Sequence, residues 1–276
     1  MTKRALVLGG GGITGIAWEW GILAGLKAAG VDLTGIDLVV GTSAGSIVGA
    51  QIASGLDPEE RYQQQLTPPD GEIGAVMGTG LFLRYGLALV AGPSAPVKRR
   101  ARIGRLAVRT AAVDEAQRIA VIESRLPVRE WPDTPLRITA VDVATGEFRA
   151  FDRDSGVPLV LAVAASCAVP GVWPPVTVDS RRYMDGGVRS GANADLAAGY
   201  ERIVVIAPLP RGMGASAFTE VAKLRASSRV ELLVPDEAAR KSFGRNVLDP
   251  VRRPAAARAG LAQSASVIDR VRAVWM

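Results

Sequence analysis

The sequence contains no histidine in 276 residues. That absence removes imidazole as a general base. It excludes Ser-His-Asp and Cys-His triads and leaves no His-ligated zinc or iron site. There is one cysteine, Cys167, so no intrachain disulfide and no Cys-rich metal centre can form, and nothing argues for an oxidising compartment. Cys167 sits in the small-residue run Ala164-Ala165-Ser166-Cys167-Ala168, which reads as buried packing. Aromatics make up only 5% of the chain and are almost missing from its basic stretches, so no nucleic-acid partner is expected.

Long apolar runs are lacking as well. The start, Met1-Thr2-Lys3-Arg4 followed by apolar residues 5–8, meets Gly9-Gly10-Gly11-Gly12 and then Glu19, so it forms no sustained signal-peptide core. Residues 73–97 carry Arg84 and several glycines, and residues 157–172 are broken by Pro158 and Pro170. Neither window reads as a membrane span. The expectation is a soluble cytoplasmic protein, at most peripheral at a membrane.

What is present is apolar mass: 48% of the residues, with 31 glycines and 17 prolines. That is enough for a real core, and with a net charge of +6 it argues against disorder. The charge is uneven. Residues 73–113 hold no acid but carry Arg84, Lys98, Arg99, Arg100, Arg102, Arg105 and Arg109, and a second basic stretch runs over residues 240–272. Such runs read either as solvated helix faces or as a surface for an anionic lipid.

Along the chain, Arg4–Leu8 reads as a buried strand and residues 14–29 as a helix. Residues 37–40 form a second strand, 41–45 a tight turn and 44–54 a second helix. Strand, helix, strand, turn, helix is the opening of a parallel α/β sheet. Asp57-Pro58-Glu59-Glu60 opens a further helix, with an N-cap, a proline at the first position and acids in the first turn. The region from about 57 to 126 reads as a helical insertion. Residues 136–143 and 147–152 form a hairpin around Thr145-Gly146, 158–166 a helix, and 202–207 and 229–234 strands; 254–275 read as one basic helix.

Gly41-Thr42-Ser43-Ala44-Gly45 is a G-x-S-x-G sequence that follows a strand and opens a helix. That context is the elbow in which a strained turn exposes a serine hydroxyl, and the helix N-terminus beneath it favours developing negative charge. The competing reading is an ordinary Gly-Ser turn. The run Gly9-Gly10-Gly11-Gly12-Ile13-Thr14-Gly15 has two sharp readings. Gly10, Gly12 and Gly15 fit a dinucleotide fingerprint, but the acid expected near the end of the second strand is not there. Alternatively, consecutive glycines aim backbone N–H groups at one point as an oxyanion hole. With no histidine, the base for a serine must come from Asp, Glu, Lys or Tyr. Asp185 stands out at a strand end before Gly186-Gly187, although Asp-Gly is also a common turn.

These three blocks, in this order and at roughly these separations, resemble the patatin-like phospholipase family. Similar connecting residues are Gly21-Ile22-Leu23-Ala24-Gly25-Leu26 and the block 164–175. The resemblance covers about residues 4–210. It implies an α/β, three-layer sandwich with a mostly parallel sheet and helices on both faces. It implies a serine acyl hydrolase acting on lipid carboxyl esters through a Ser-Asp dyad, Ser43 as nucleophile and Asp185 as base. Gly10, Gly11 and Gly12 match the family's oxyanion-hole glycines; the Ala44 N–H is expected to join them. No metal and no cofactor is implied. The chain departs from the pattern at Thr14, where the family usually has Arg or Lys, and at Asn193, which lacks the proline usually found two residues on.

The expected organisation is therefore an acyl hydrolase core over 1–210 with residues 211–276 as an extension packed on it. The expected partners are a lipid ester and, through the insertion, an anionic membrane surface. In the insertion Leu81, Phe82, Leu83, Leu87, Leu89 and Val90 precede the basic cluster. Rival readings are a catalytically silent lipid- or polyanion-binding module and, more distantly, a dinucleotide-dependent oxidoreductase.

Overall fold

The structure is a computed structural model that describes residues 2–67, 95–110 and 114–276. Five strands run parallel in the order β3 (Leu136–Asp142), β2 (Leu38–Gly41), β1 (Arg4–Leu8), β7 (Arg202–Ile206) and β8 (Arg229–Leu233). Three short strands, β4 (Phe148–Phe151), β5 (Val176–Val178) and β6 (Arg181–Asp185), add antiparallel pairings beside β3. The fold is α/β with a mostly parallel central sheet.

The parallel strands are apolar on both faces because both faces are covered. Along β1, Leu6 and Leu8 enter a cluster with α1 (Gly12–Ala28), α2 (Ala44–Ala53), α6 (Leu159–Ser166) and α9 (Arg253–Ser264). Ala5 and Val7 point the other way, onto the turn at 194–197 and α7 (Ala217–Leu224). This alternation with a period of two makes three layers.

The region 57–126 is helical wherever it is described, as α3 (Pro58–Leu66), α4 (Pro96–Thr110) and α5 (Glu115–Ser124). Asp57 caps α3 by accepting from the Glu59 and Glu60 N–H groups. The apolar residues 81–90, read as an interfacial segment, lie outside the described residues. The expected hairpin around Thr145-Gly146 is β3–β4, with Gly146 at φ 74°.

The expected single helix over 254–275 is instead two, α9 and α10 (Ile268–Trp275). The break has a local cause: Ser264 Oγ and Ser266 Oγ donate back to the Leu261 and Gln263 carbonyls, competing with continued helix. The C-terminal stretch also holds α8 (Glu237–Phe243) and, in β8, a strand of the central sheet. α9 lies unusually close to α1. A Cβ on Gly21 would stand 2.2 Å from the Ala257 carbonyl oxygen, so only glycine allows the approach. Trp18 Nε1 donates to Gln263 Oε1 at 3.0 Å across the same seam. Among the described residues, no helix is long and apolar enough to cross a membrane.

Candidate active site

β2 runs into α2 through Thr42 and Ser43, and the turn is sharp. Ser43 has φ 52° and ψ −118°, a left-handed conformation that a non-glycine residue adopts only under constraint. The constraint is visible on both sides. A Cβ on Gly45 would lie 2.2 Å from the Leu8 carbonyl oxygen and one on Gly41 2.6 Å from Ser46 Cα, so the turn is pressed against β1 and α2. The Ser43 N–H donates to Ser166 Oγ at 2.9 Å. The Ser43 carbonyl accepts from Ser46 N–H at 2.9 Å, Ser46 Oγ at 2.6 Å and Cys167 Sγ at 3.2 Å. Burial pushes the Cys167 thiol up to about 11, so it packs as a neutral donor rather than as a nucleophile.

Asp185 ends β6, opposite Ala140 of β3. Its N–H donates to the Ala168 carbonyl at 3.0 Å, and its Oδ1 accepts from the Gly187 N–H at 2.7 Å. The Ser43 side chain lies near enough to the Asp185 carboxylate to favour its ionised form, so the elbow serine and the Asp-Gly aspartate come together. Both are buried, at 8% and 5% exposure. Burial raises the Asp185 pKa from its ordinary 3.8 to about 6, opposed by the nearby Ser43 side chain, the Gly187 N–H and the charge of Arg118.

The glycine loop divides its donors. The Gly9 N–H donates to the Ile206 carbonyl at 2.9 Å and the Gly10 N–H to the Gly191 carbonyl at 2.8 Å. Among the described residues, the Gly11, Gly12 and Ala44 N–H groups have no acceptor. Gly10 still borders the site, since a Cβ there would sit 3.5 Å from Ser43 Cβ. Gly12 has φ 62°, and a Cβ on it would meet the Val247 carbonyl oxygen at 2.7 Å.

A family model described as Patatin-like phospholipase matches residues 6–198, a span that contains the glycine loop, the elbow and the aspartate. The chain belongs to the patatin-like phospholipase family. It is 31% identical over 203 residues to uncharacterised NTE family proteins of Mycobacterium bovis and Mycobacterium tuberculosis, a match covering 70% of this chain and 47% of theirs. The chain thus spans about half the length of these relatives. Its fold is similar to that of VipD from Legionella pneumophila, with a TM-score of 0.50 and 13% identity over 98% of this chain and 67% of that one.

In this patatin-like protein, Ser43, Gly12 and Ala44 share the lining of a cavity of about 30 Å³ with Arg118, Cys167 and Trp173. The space suits a carbonyl-sized group, not an acyl chain. Ile13, Ile16, Ile47 and Arg125 line both this cavity and a neighbouring recess of about 430 Å³, which Gln51 and Arg61 extend outward. A larger recess, about 640 Å³ beside Ile103, Met213 and Leu224, shares no lining residue with the Ser43 cavity.

Two further residues shape the site. Asn193, left-handed at φ 53°, donates through Nδ2 to Thr42 Oγ1 at 3.0 Å and to the Ser190 carbonyl at 3.0 Å. Its Oδ1 accepts from Arg189 at 2.7 Å. Arg118, on α5, lines the same cavity as Ser43. An asparagine tolerates positive φ, so the glycine- and alanine-rich stretch 190–194 held a signal for the first; nothing in the sequence distinguishes Arg118 from other arginines.

Proposed function

We propose that this protein is a serine acyl hydrolase that cleaves carboxyl esters of lipids through Ser43 and Asp185. The observation that carries the reading is a serine at a strained strand-to-helix elbow beside a buried aspartate, in a chain without histidine. Asp185 takes the Ser43 proton as Oγ attacks the ester carbonyl, and the negative charge passes from the carboxylate to the carbonyl oxygen. That oxygen sits in the small cavity against the Gly11, Gly12 and Ala44 N–H groups. Collapse of the tetrahedral species breaks the bond to the alcohol, which leaves with the proton held by Asp185. Asp185 then deprotonates water for attack on the acyl-serine, and fatty acid is released. A carboxylate raised to about 6 is a better base at neutral pH than an ordinary aspartate, yet remains ionised there.

Chain and leaving group extend into the recess beyond Ile16 and Ile47, where the isoleucines suit the acyl part and Gln51, Arg61 and Arg125 suit a polar leaving group. Lys98 and Arg105, exposed on the basic helix α4, are the groups through which the protein would meet an anionic lipid surface. Co-sedimentation with phosphatidylglycerol vesicles that ignores salt would count against that contact.

Intact-mass labelling with a neutral fluorophosphonate tests the chemistry. The reagent forms a Ser43 Oγ–P bond and expels fluoride. One adduct on wild type, none on Ser43→Ala and none or a slow trace on Asp185→Asn is the expected pattern. A folded wild type that takes no adduct, with or without vesicles, would overturn the reading.

A further inference from the structure

A buried cation lines the cavity of Ser43 and, among the described residues, pairs with no carboxylate. Arg118 is 6% exposed, and among the described residues it enters no ion pair and its Nε has no hydrogen-bond partner. Burying a guanidinium without a partner is costly, so a native structure that does it asks for a compensating group. Two features hold the side chain in place. Its Cζ lies 4.0 Å from the centre of the Trp173 ring, a cation–π stack that fixes the plane of the guanidinium without satisfying its N–H groups. One turn earlier on α5, Glu115 accepts from the Thr177 N–H at 2.6 Å and Thr177 Oγ1 at 3.1 Å, which ties the helix start to β5.

The position after the glycine loop where the family usually has Arg or Lys brings no charge. Thr14, at the start of α1, is fully buried and turns its hydroxyl to the Val247 carbonyl at 3.4 Å. The charged or titratable groups that act on Arg118 are Cys167, Arg125 and Asp185. Those that act on Asp185 are Ser43, the Gly187 N–H and Arg118. A neutral thiol and a second arginine offer Arg118 no counter-charge; the anion that acts on it is Asp185, whose charge the reaction moves to the tetrahedral oxygen.

We propose that Arg118 is a catalytic residue of this site, its guanidinium meeting the ester oxygen that becomes negative, alongside the Gly11, Gly12 and Ala44 N–H groups. The inference rests on the acyl-hydrolase reading above. Charge balances throughout: before attack the anion is Asp185, on which Arg118 acts, and after attack it is the tetrahedral oxygen in the cavity that Arg118 lines. The cation therefore stabilises the step that moves the charge without taking or giving a proton. The stack on Trp173 keeps it preorganised, so little reorganisation accompanies the reaction.

The test compares Arg118→Gln and Arg118→Lys with wild type by fluorophosphonate capture rate across the acid limb of the pH profile, with thermal melts alongside. For Arg118→Gln the expected result is capture slower on the order of 10²-fold, the size of losing one charge-stabilising donor. Its acid limb moves to higher pH, because the nearby cation helps keep Asp185 ionised. Arg118→Lys restores most of the rate and the position of the limb. The proposal is overturned if Arg118→Gln captures within roughly threefold of wild type with an unmoved limb. It is also overturned if Arg118→Lys is as slow as Arg118→Gln, which would make the residue a packing partner of Trp173. Wild type that captures no probe would overturn the acyl-hydrolase reading and this one with it; capture indifferent to Arg118 overturns only this one.

Discussion

Asn193 Nδ2 donates to Thr42 Oγ1 at 3.0 Å, and so ties the loop that follows Asp185 to the turn that carries Ser43. Thr42 in turn donates to the Ala192 carbonyl at 3.2 Å and accepts from Thr139 Oγ1 at 2.9 Å, so three segments meet at one buried hydroxyl. Asn193→Ala leaves Thr42, the Ser190 carbonyl and Arg189 without that partner. Each unsatisfied buried group costs about 1–3 kcal/mol, and repacking returns part of it. The expected loss is about 2–4 kcal/mol of unfolding free energy in urea titration, with slower probe capture by the fraction that stays folded. A loss under about 0.5 kcal/mol would show that the tie is dispensable.

Asp185 gives a prediction that couples activity and stability with opposite signs. Its folded pKa of about 6 lies above the ordinary 3.8. The folded state therefore binds the proton more tightly than the unfolded state, and ionised Asp185 opposes folding at pH values above about 6. The opposition fades as pH falls toward 4, where both states become protonated. At pH 8 it approaches about 3 kcal/mol from a shift of 2.2 (6 minus 3.8) at 1.36 kcal/mol per unit. Asp185→Asn should thus lose capture yet unfold at higher urea than wild type at pH 8, with the gain shrinking at pH 4.5. Wild-type capture should itself decline as pH drops through 6. A less stable Asp185→Asn at pH 8 would contradict this account.

The glycine blocks and the elbow turn at Ser43 were legible in the sequence because backbone geometry demands specific residue types there. A glycine pressed onto Leu8 and a serine at positive φ leave a pattern that one short window contains. Which N–H groups remain free was not legible. The Gly10 N–H is taken by the Gly191 carbonyl, a pairing set by the tertiary path of a distant loop. Arg118 was hidden for a related reason. A single arginine in a helix otherwise mixed in polarity looks like a solvated residue until Trp173, from another segment, is placed over it. The division of the tail at Ser264 and Ser266 was masked by an apolar and basic pattern that continues across it.

Ser166→Ala tests how the elbow is held. Removing Oγ leaves the Ser43 N–H buried and unpaired, at a cost of about 1–3 kcal/mol. Because Cys167 and Ser46 still hold the Ser43 carbonyl, the turn should persist and the protein fold. The reactive hydroxyl loses part of its positioning, so capture should slow on the order of tenfold with the acid limb unmoved, since no group near Asp185 changes charge. A shifted limb would mean that Ser166 acts on the aspartate and not on the turn.

Gly10→Ala and Gly12→Ala separate the two glycines by mechanism. At Gly10 the nearest contact of an added Cβ is Ser43 Cβ at 3.5 Å, an ordinary van der Waals distance, and the N–H is already used by Gly191. At Gly12 the added Cβ meets the Val247 carbonyl oxygen at 2.7 Å, and φ 62° disfavours any side chain. Gly10→Ala should melt within about 0.5 kcal/mol of wild type and lose capture only through crowding of Ser43. Gly12→Ala should lose about 1–3 kcal/mol of stability and most of its capture, because the strained residue is also a free donor on the cavity wall. Equal losses of capture in both variants, with Gly10→Ala fully stable, would place the working donor at Gly10 and require the Gly10–Gly191 hydrogen bond to open during the reaction.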